Sequence, residues 1–412
     1  MGSFYRCLVY FLGGGDYVSC PHFPGCLQAK CQVYSLAVVF FLWDQPHYRN
    51  GTFQQDMVKN LRNVAVPGTG LALSYFCHFK WTAYYFLFVL YPLAALFSAL
   101  YHAPRTGRTL SACFHEQLLT PQDWFSFWRM NCRLASYHSL LMGDQAKGYA
   151  LEDKWLFLLQ ASSRGIPVSP WIDLPRLVVK DKNEEGGMGI KFYKNAVAGG
   201  DWIIQEALDN ADCIARLLPP NPPLSTLRVI TASTYGVPTA EGRLQSGPPG
   251  DQHVRSLSCV FRAGRAGAAT DHSSILFDVD LQTGTLLKGT TNAHWYQLGP
   301  TKAFSTPWTS SHTLTHHPDC GVKITGETIP DIIKIRQLVE EAHKELIPDV
   351  PLAGWDVALT TKGTLLLEVN LSCNFFRGTF DVPGYVVMLD AYFSKLDGMM
   401  KERNRAKKFK KL

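Results

Sequence analysis

Residues 354–370 read GWDVALTTKGTLLLEVN, and this stretch decides the fold class. Two apolar runs, Trp355–Leu359 and Leu365–Val369, lie on either side of Lys362-Gly363. Short apolar runs separated by a glycine-containing turn are typical of a β-hairpin. The stretch therefore predicts two paired strands.

The polar residues of this hairpin are candidate ligands for a divalent cation. Glu368 and Asn370 are two positions apart and share one face of their strand, and Asp356 on the partner strand can lie on that same face. Two carboxylates and an amide oxygen are hard ligands of the kind that Mg2+ accepts when phosphates complete its coordination. The alternative is a solvent-facing polar side of a hairpin, against which stand the surrounding apolar residues.

A second strand-and-turn pattern lies upstream. Val178-Val179 runs into Lys180, and a polar stretch then leads to Gly186-Gly187-Met188-Gly189. Glycines let backbone N–H groups approach phosphate oxygens, and a lysine at a strand end supplies a point charge. The spacing is neither that of a P-loop nor that of the dinucleotide fingerprint, and a plain hairpin turn fits it equally well.

Two further segments contribute candidate site residues. The apolar run Trp202–Ile204 continues into Gln205-Glu206, where an extended backbone could present its edge to a flat base. Arg228 is flanked by strand residues and can point into a cleft, where its guanidinium matches phosphate or carboxylate geometry.

The remaining pattern predicts an α+β or α/β enzyme core. Predicted helices are Pro121–Met142, Glu152–Arg164, Asp331–Leu346 and Val386–Met400, and further predicted strands are 177–179, 202–204, 228–231, 259–261 and 275–277. We expect four regions: a poorly defined N-terminal region at 1–74, a hydrophobic segment at 75–105, the main domain at 106–395 and a basic tail at 396–412.

The hydrophobic segment is a candidate transmembrane helix. Trp81–Tyr101 contains 21 residues without a charge, and Lys80, Arg105 and Arg108 lie outside it. About 20 apolar residues cross the ~30 Å hydrocarbon core as a helix, and membrane helices tolerate a proline such as Pro92. A buried helix in the core of a soluble domain is the alternative.

Charge and cysteine content narrow the class of protein. The net charge of +6 resides in residues 401–412, which hold seven basic residues and one acid, so the first 400 residues are formally neutral. Nucleic-acid binding is not expected, because it calls for a distributed basic surface. Eleven thinly spread cysteines, an odd number, are not a disulfide framework and suit an intracellular protein.

Taken in order over roughly Asp123–Leu389, these patterns resemble the ATP-grasp superfamily, in particular its sugar-transfer-associated and α-L-glutamate-ligase-related members. The most specific pieces are Ser225–Val229, His317-Pro318 with Gly326 and Ile329-Pro330, Gly354-Trp355-Asp356, and Glu368-x-Asn370. The resemblance implies an α+β ATP-grasp fold, in which two α/β subdomains grip ATP, preceded here by an N-terminal helical and hydrophobic region.

The resemblance also implies roles for individual residues. Lys154 and Lys180 would hold ATP phosphates, under a flexible loop formed by Gly186, Gly187 and Gly189. The adenine site would be lined by Gln205, Glu206 and Leu208. Arg228 would face the phosphate or acyl group, and Mg2+ would be held by Asp356, Glu368 and Asn370.

Alternatives stay open for the less specific residues. Lys154 could be a helix-surface lysine. His316 and His317 could lie near the acceptor substrate, although a satisfied structural histidine is the more ordinary case. Arg262 and Asp271 could belong to the same cleft, with surface ion pairing as the more ordinary role.

The resemblance implies an ADP-forming ligase that uses ATP and Mg2+ to activate a small-molecule carboxylate as an acylphosphate for attack by an amine or similar nucleophile. Lys180 and Arg228 would be its catalytic residues. One departure is the interval from Lys154 to Lys180, which is 26 residues and shorter than is usual in the family. It leaves open a catalytically impaired ATP-binding protein. The apolar Trp81–Tyr101 segment and the basic tail leave open a membrane-associated interaction protein. We expect membrane association with the catalytic domain in the cytoplasm, or a soluble cytoplasmic protein as the alternative.

Overall fold

The computed structural model of the chain describes residues 2–62, 72–122, 124–183, 188–271, 274–291, 313–373 and 380–409. Its α-helices are α1 (Gly2–Leu12), α2 (Leu27–Leu42), α3 (Phe53–Leu61), α4 (Lys80–Tyr85), α5 (Tyr91–Thr106), α6 (Leu110–Leu119), α7 (Trp124–Met142), α8 (Lys154–Ser163), α9 (Asp212–Ala215), α10 (Ile332–Leu346) and α11 (Val382–Phe409). A π-helical turn, Phe86–Leu90, joins α4 to α5.

The strands form a small hairpin and one large sheet. They are β1 (Arg176–Val179), β2 (Lys191–Lys194), β3 (Thr226–Ser233), β4 (Val254–Ala263), β5 (Ile275–Val279), β6 (Leu286–Thr291), β7 (Thr313–Leu314), β8 (Leu352–Thr360) and β9 (Gly363–Asn370). β1 pairs with β2, and the other seven strands follow the order β7-β6-β5-β4-β3-β8-β9 with antiparallel neighbours throughout. The hairpin predicted at residues 354–370 is the β8–β9 edge of this sheet.

The two faces of the large sheet pack against different hydrophobic cores. On β3 and β8 the side chains of Val229, Trp355 and Val357 belong to the core that also contains α10. Successive residues of a strand point to opposite faces, so Arg228 and Asp356 lie on the other face. Ile230 lies on this second face and belongs to the core built by the N-terminal helices. The candidate site thus lies beside that helical core.

The helical core joins the two ends of the chain. Asp397 on α11 accepts hydrogen bonds from the backbone N–H of Tyr17 and the hydroxyl of Tyr34, both at 3.0 Å. Lys401 pairs with Asp16 and lies 3.4 Å from Asp397. The basic stretch that begins at Lys401 continues α11 as a helix as far as Phe409. Because residues 2–62 are built into this core, the N-terminal region and the C-terminal helix support each other.

One predicted strand is wrong. Residues 202–204 make only isolated bridges, with Trp202 opposite Asn195 and Gln205 opposite Trp171. This extended segment lies outside the large sheet, so it lacks the continuous partner that a strand requires.

The hydrophobic segment has two faces. The helix spans Lys80–Thr106 through the π-helical turn and, among the described residues, is the one long and apolar enough to cross a membrane. Its inner face packs on the protein and is formed by Leu87, Tyr91, Ala95, Ala99 and Ala103. Its outer face is exposed and equally apolar, and we call it the outer stripe: Trp81, Tyr85, Val89, Leu93, Phe97 and Leu100. The helix is therefore neither a fully buried core helix nor free of the protein.

Candidate functional site

A row of charged side chains crosses three neighbouring strands. Arg228 on β3 lies opposite Asp356 on β8, and Asp356 lies opposite Glu368 on β9. Directly opposed residues in antiparallel strands have their side chains on the same face. We call these three residues, together with Asn370, the polar row. The three residues predicted as metal ligands are thus brought together on one face.

Two arginines hold Asp356. The Arg228 guanidinium makes a bidentate contact with both carboxylate oxygens, with 3.0 Å between Nη2 and Oδ2. Arg262 on β4 donates from Nη1 to Oδ2 at 3.3 Å. Burial alone would raise the pKa of Asp356, but the charge and hydrogen bonds of Arg228, aided by Arg262, lower it below its ordinary value. Asp356 therefore stays ionised in the interior of the protein.

Arg262 and Asp271 belong to the same network. Arg262 Nη2 lies 2.9 Å from Asp271 Oδ1, and the two side chains are only 12% and 13% exposed. Thr226 donates its hydroxyl to Asp271. Burial raises the pKa of Asp271, although Arg262 partly offsets this. The expected ion pairing is therefore found, but its expected place on the surface is wrong, because the pairing of β3 with β4 places Thr226 opposite Arg262 in the interior.

Lys154 meets the other end of the polar row. It begins α8, and its ammonium forms an ion pair with Glu368, which also accepts a hydrogen bond from Asn370 Nδ2 at 3.3 Å. The Lys154 side chain is 66% exposed. The simple helix-surface reading is therefore incomplete, since the exposed ammonium pairs with a predicted site residue.

The donor set can be compared with what a magnesium ion needs. Glu368 and the amide oxygen of Asn370 are adjacent hard donors that fit Mg2+. Both oxygens of Asp356 are already engaged by arginines. Within the described ranges no three His, Cys, Asp or Glu side chains cluster as metal ligands. A magnesium ion here would thus depend on Glu368, Asn370, phosphate and water more than on Asp356.

The glycine-rich hairpin stands apart from the polar row. Lys180 follows directly after β1 and is exposed, and no hydrogen bond or ion pair joins it to the polar row in the described part of the chain. The turn closes where Asp181 N donates to Gly189 O at 3.4 Å, and Gly189 has a φ of 71° that favours glycine. Gly186 and Gly187 lie outside the described residues. The pattern is thus a hairpin, and its phosphate role stays a prediction.

The predicted adenine-site residues lie in the extended segment beside the β8–β9 turn. Gln205 Nε2 donates to Ser169 O at 3.2 Å, and Glu206 forms an ion pair with Lys362 in the turn. Leu208 is half-buried. These contacts bring the segment to the sheet edge that carries Glu368.

Sequence reasoning missed a residue from the N-terminal region. Arg49 pairs with Glu152, and it donates from Nη2 to Ser372 Oγ at 2.8 Å. Glu152 in turn accepts the backbone N–H of Leu371 at 3.0 Å. Arg49 and Glu152 therefore fix the loop directly after Asn370. No motif surrounds Arg49, so nothing in the sequence indicated this role.

His317 is a satisfied structural histidine, as the more ordinary reading had it. The side chain is buried, and its Nδ1 accepts the backbone N–H of Asp319 at 3.2 Å. Nε2 must then carry the proton, which it donates to Gly264 O at 3.0 Å.

Comparison with known proteins agrees with this architecture. Residues 250–377 match the family described as sugar-transfer associated ATP-grasp. This range contains Arg262, Asp356, Glu368 and Asn370, whereas Lys154, Lys180 and Arg228 lie outside it. The match confirms the predicted resemblance to the ATP-grasp superfamily and the α+β fold class.

Among solved structures, the chain is similar to N5-carboxyaminoimidazole ribonucleotide synthetase from Thermotoga maritima, with 11% identity and a TM-score of 0.25. The similarity covers 60% of this chain and 50% of that one, so the chain spans about half the length of that structure. No curated protein matches the sequence.

Proposed function

We propose that this chain, whose residues 250–377 match the sugar-transfer associated ATP-grasp family, is an ATP- and Mg2+-dependent ligase. The observation that carries the proposal is the polar row, in which Asp356, Glu368 and Asn370 share one sheet face inside the matched range. Such an enzyme would activate a small-molecule carboxylate as an acylphosphate, which an amine or similar nucleophile then attacks.

The charges of the row suit a polyphosphate. Lys154 and Arg228 are cations at its two ends, where Lys154 pairs with Glu368 and Arg228 pairs with Asp356. Glu368 and Asn370 would hold Mg2+, which when bound neutralises charge on the transferred phosphoryl group. Asp356, which Arg262 also contacts, holds Arg228 in position. Preorganised positive charge of this kind is the main contribution that a protein makes to phosphoryl transfer.

The β1–β2 hairpin is the candidate cover for the nucleotide. Its apolar side chains Val178, Val179, Met188 and Phe192 are exposed although they are large. An exposed apolar surface of this kind is typical of a site that contacts another molecule, here the flat base of the nucleotide. Lys180 at the end of β1 would then reach the phosphates.

The second candidate function is ATP binding without turnover. It is favoured by the small size of the hairpin, which has two strands of four residues each. It is opposed by the complete set of Asp356, Glu368 and Asn370, which keeps the candidate Mg2+ ligands together on one face of the sheet.

We also propose that the protein is attached to a membrane through the outer stripe, with the sheet domain on the cytoplasmic side. Trp81 is 82% exposed and Phe97 is 58% exposed, on a helix whose other face packs on the protein. A contiguous exposed apolar surface of this kind marks a site of contact with lipid or protein.

The test of the nucleotide site is Mg-ATP binding to the full chain by calorimetry, together with ADP release in the presence of a panel of carboxylates and amines. Glu368→Ala should weaken Mg-ATP binding at least tenfold and abolish ADP release. Glu345→Ala, on the exposed face of α10, is the matched control and should change neither. Undiminished binding and turnover in Glu368→Ala would contradict the assignment, and binding without ADP release in the wild type would favour the second candidate.

A further inference from the structure

A cleft lies in the helical part of the molecule, and none of the polar-row residues lines it. It is bounded by α2, α3, α7 and the segment 76–87, and its cavity volume is about 80 Å³, with an open mouth to solvent. Most of its wall is apolar, with Phe40, Met57, Phe76, Leu87 and Trp128 among the lining residues. A mostly apolar cleft with a small number of polar groups in its wall is typical of sites for small molecules.

Two cations line this otherwise apolar cleft. Arg129 and Arg133 lie one turn apart on α7 and are only 5% and 8% exposed. Arg133 Nη1 donates to Arg129 O at 2.8 Å, whereas Arg133 Nε has no hydrogen-bond partner among the described residues. Nor does any described carboxylate lie within ion-pair distance of Arg133. Burial, followed by the charge of Arg129, lowers the pKa of Arg133 to about 9.

Asp56 is the acidic residue in the wall of the cleft, and its partners are residues other than Arg133. Asp56 accepts a hydrogen bond from Asn60 Nδ2 at 2.8 Å, and its carboxylate lies 3.6 Å from His47 Nε2 and 3.8 Å from Arg49 Nη1. It therefore does not neutralise Arg133. A buried guanidinium without a counter-ion is destabilising, so an arginine kept in this state suggests that an anion binds there.

We propose that this cleft binds a single-chain amphiphile, whose anionic head is held by Arg133 beside Arg129 and whose apolar tail lies along the aromatic and aliphatic wall. A carboxylate or phosphate head matches the guanidinium with charge-assisted hydrogen bonds. The tail would remove apolar wall from water. Neither a free anion nor an uncharged chain would satisfy both parts of the cleft.

The surroundings of the cleft provide a route for such a ligand. Ala83, Phe86 and Leu87 line the cleft on the same helical segment whose opposite face carries Trp81 and Tyr85 of the outer stripe. An amphiphile held in a membrane would therefore meet the mouth of the cleft where the protein touches lipid. The cleft itself does not depend on the proposed ligase activity.

The experiment measures binding of dodecanoate and dodecyl phosphate to the full chain by equilibrium dialysis, below their micelle concentrations. Dodecanol tests the tail alone, and acetate and inorganic phosphate test the heads. We expect at least one of the two anionic amphiphiles to bind, dodecanol to bind at least tenfold more weakly, and the free heads not to bind measurably. Dodecanol binding as tightly as the anionic amphiphiles would overturn the proposal, as would equal affinity for a free head.

Variants locate the head and the tail. Arg133→Met should weaken binding of the anionic amphiphiles at least tenfold without lowering the melting temperature of the ligand-free protein, because it removes an uncompensated buried charge. Arg164→Met, at an exposed position, should leave binding unchanged. Ala83→Phe narrows the cleft and should reduce binding of every amphiphile, which keeps the test decisive if Arg133→Met does not fold. Unchanged dodecanoate affinity in a folded Arg133→Met or Ala83→Phe variant would refute the site.

Discussion

The pair formed by Arg228 and Asp356 offers a quantitative test of the polar row. Asp356 accepts from Arg228 through two contacts and from Arg262 through a third, and it is 6% exposed. Asp356→Asn keeps the shape but removes the charge and turns an amide N–H2 toward donors. Removing one partner of a buried ion pair costs about 3–5 kcal/mol. Because Arg262 keeps Asp271 as a partner, we place the expected loss at the lower end, about 3 kcal/mol.

The measurement is urea unfolding of the full chain, with Arg228→Met, Asp356→Leu and the double variant completing a thermodynamic cycle. The double variant should recover most of the loss, because replacing both members of a buried pair with apolar residues is close to neutral. Glu345→Ala is the control and should stay within about 0.5 kcal/mol of the wild type. If Asp356→Asn unfolds at the wild-type midpoint, or if the two single losses add in the double variant, the two side chains do not form the coupled buried pair described.

Two further predictions concern pH and membranes. The lowered pKa of Asp356 means that its stabilising effect is complete above its unfolded value of about 3.9 and is lost as the pH falls through its lower folded value. The pKa of Asp271 is raised, so protonation of Asp271 does not reduce the stability of the fold as the pH falls. Asp356→Asn removes the group whose protonation does reduce it, and the variant should lose less stability than the wild type below about pH 4. An unchanged pH profile would contradict this. For the outer stripe, Trp81→Ser with Phe97→Ser should weaken vesicle binding at least 100-fold in flotation, since each large apolar side chain contributes roughly 1.5–3 kcal/mol. Phe192→Ser, at a residue that is 76% exposed on the hairpin, should not change flotation, and a wild type that does not float would refute membrane attachment.

Membrane attachment is better tested by substituting residues of the outer stripe than by removing the N-terminal region. Residues 2–62 supply α1, α2 and α3, and Phe4, Tyr34 and Phe53 belong to the core that also contains α11. Removing the N-terminal 105 residues would therefore expose that core and destabilise the whole helical part. Exposed positions such as Trp81 can be changed without this loss.

Local patterns were sufficient for the β8–β9 hairpin. The structure confirms the predicted turn at Lys362-Gly363, where Gly363 has a φ of 105° that side-chain-bearing residues rarely adopt. The two-residue spacing of Glu368 and Asn370 was enough to place both on one face. The segment 202–204 was misread because a short apolar run does not reveal whether a partner strand lies beside it.

Local sequence was enough to predict the hairpin, the shared face of Glu368 and Asn370, the resemblance to ATP-grasp proteins and the position of the apolar helix. These features depend on periodicity and turn chemistry, which act over a few residues. The long-range contacts became visible in the folded chain alone. There, Arg262 shares Asp356 with Arg228, and Lys154 pairs with Glu368. Arg49 fixes the loop after Asn370, and Arg133 is buried in an apolar cleft. Such contacts join residues up to 323 positions apart, as for Arg49 and Ser372. Their formation depends on which elements pack together, and local sequence carries no signal for that.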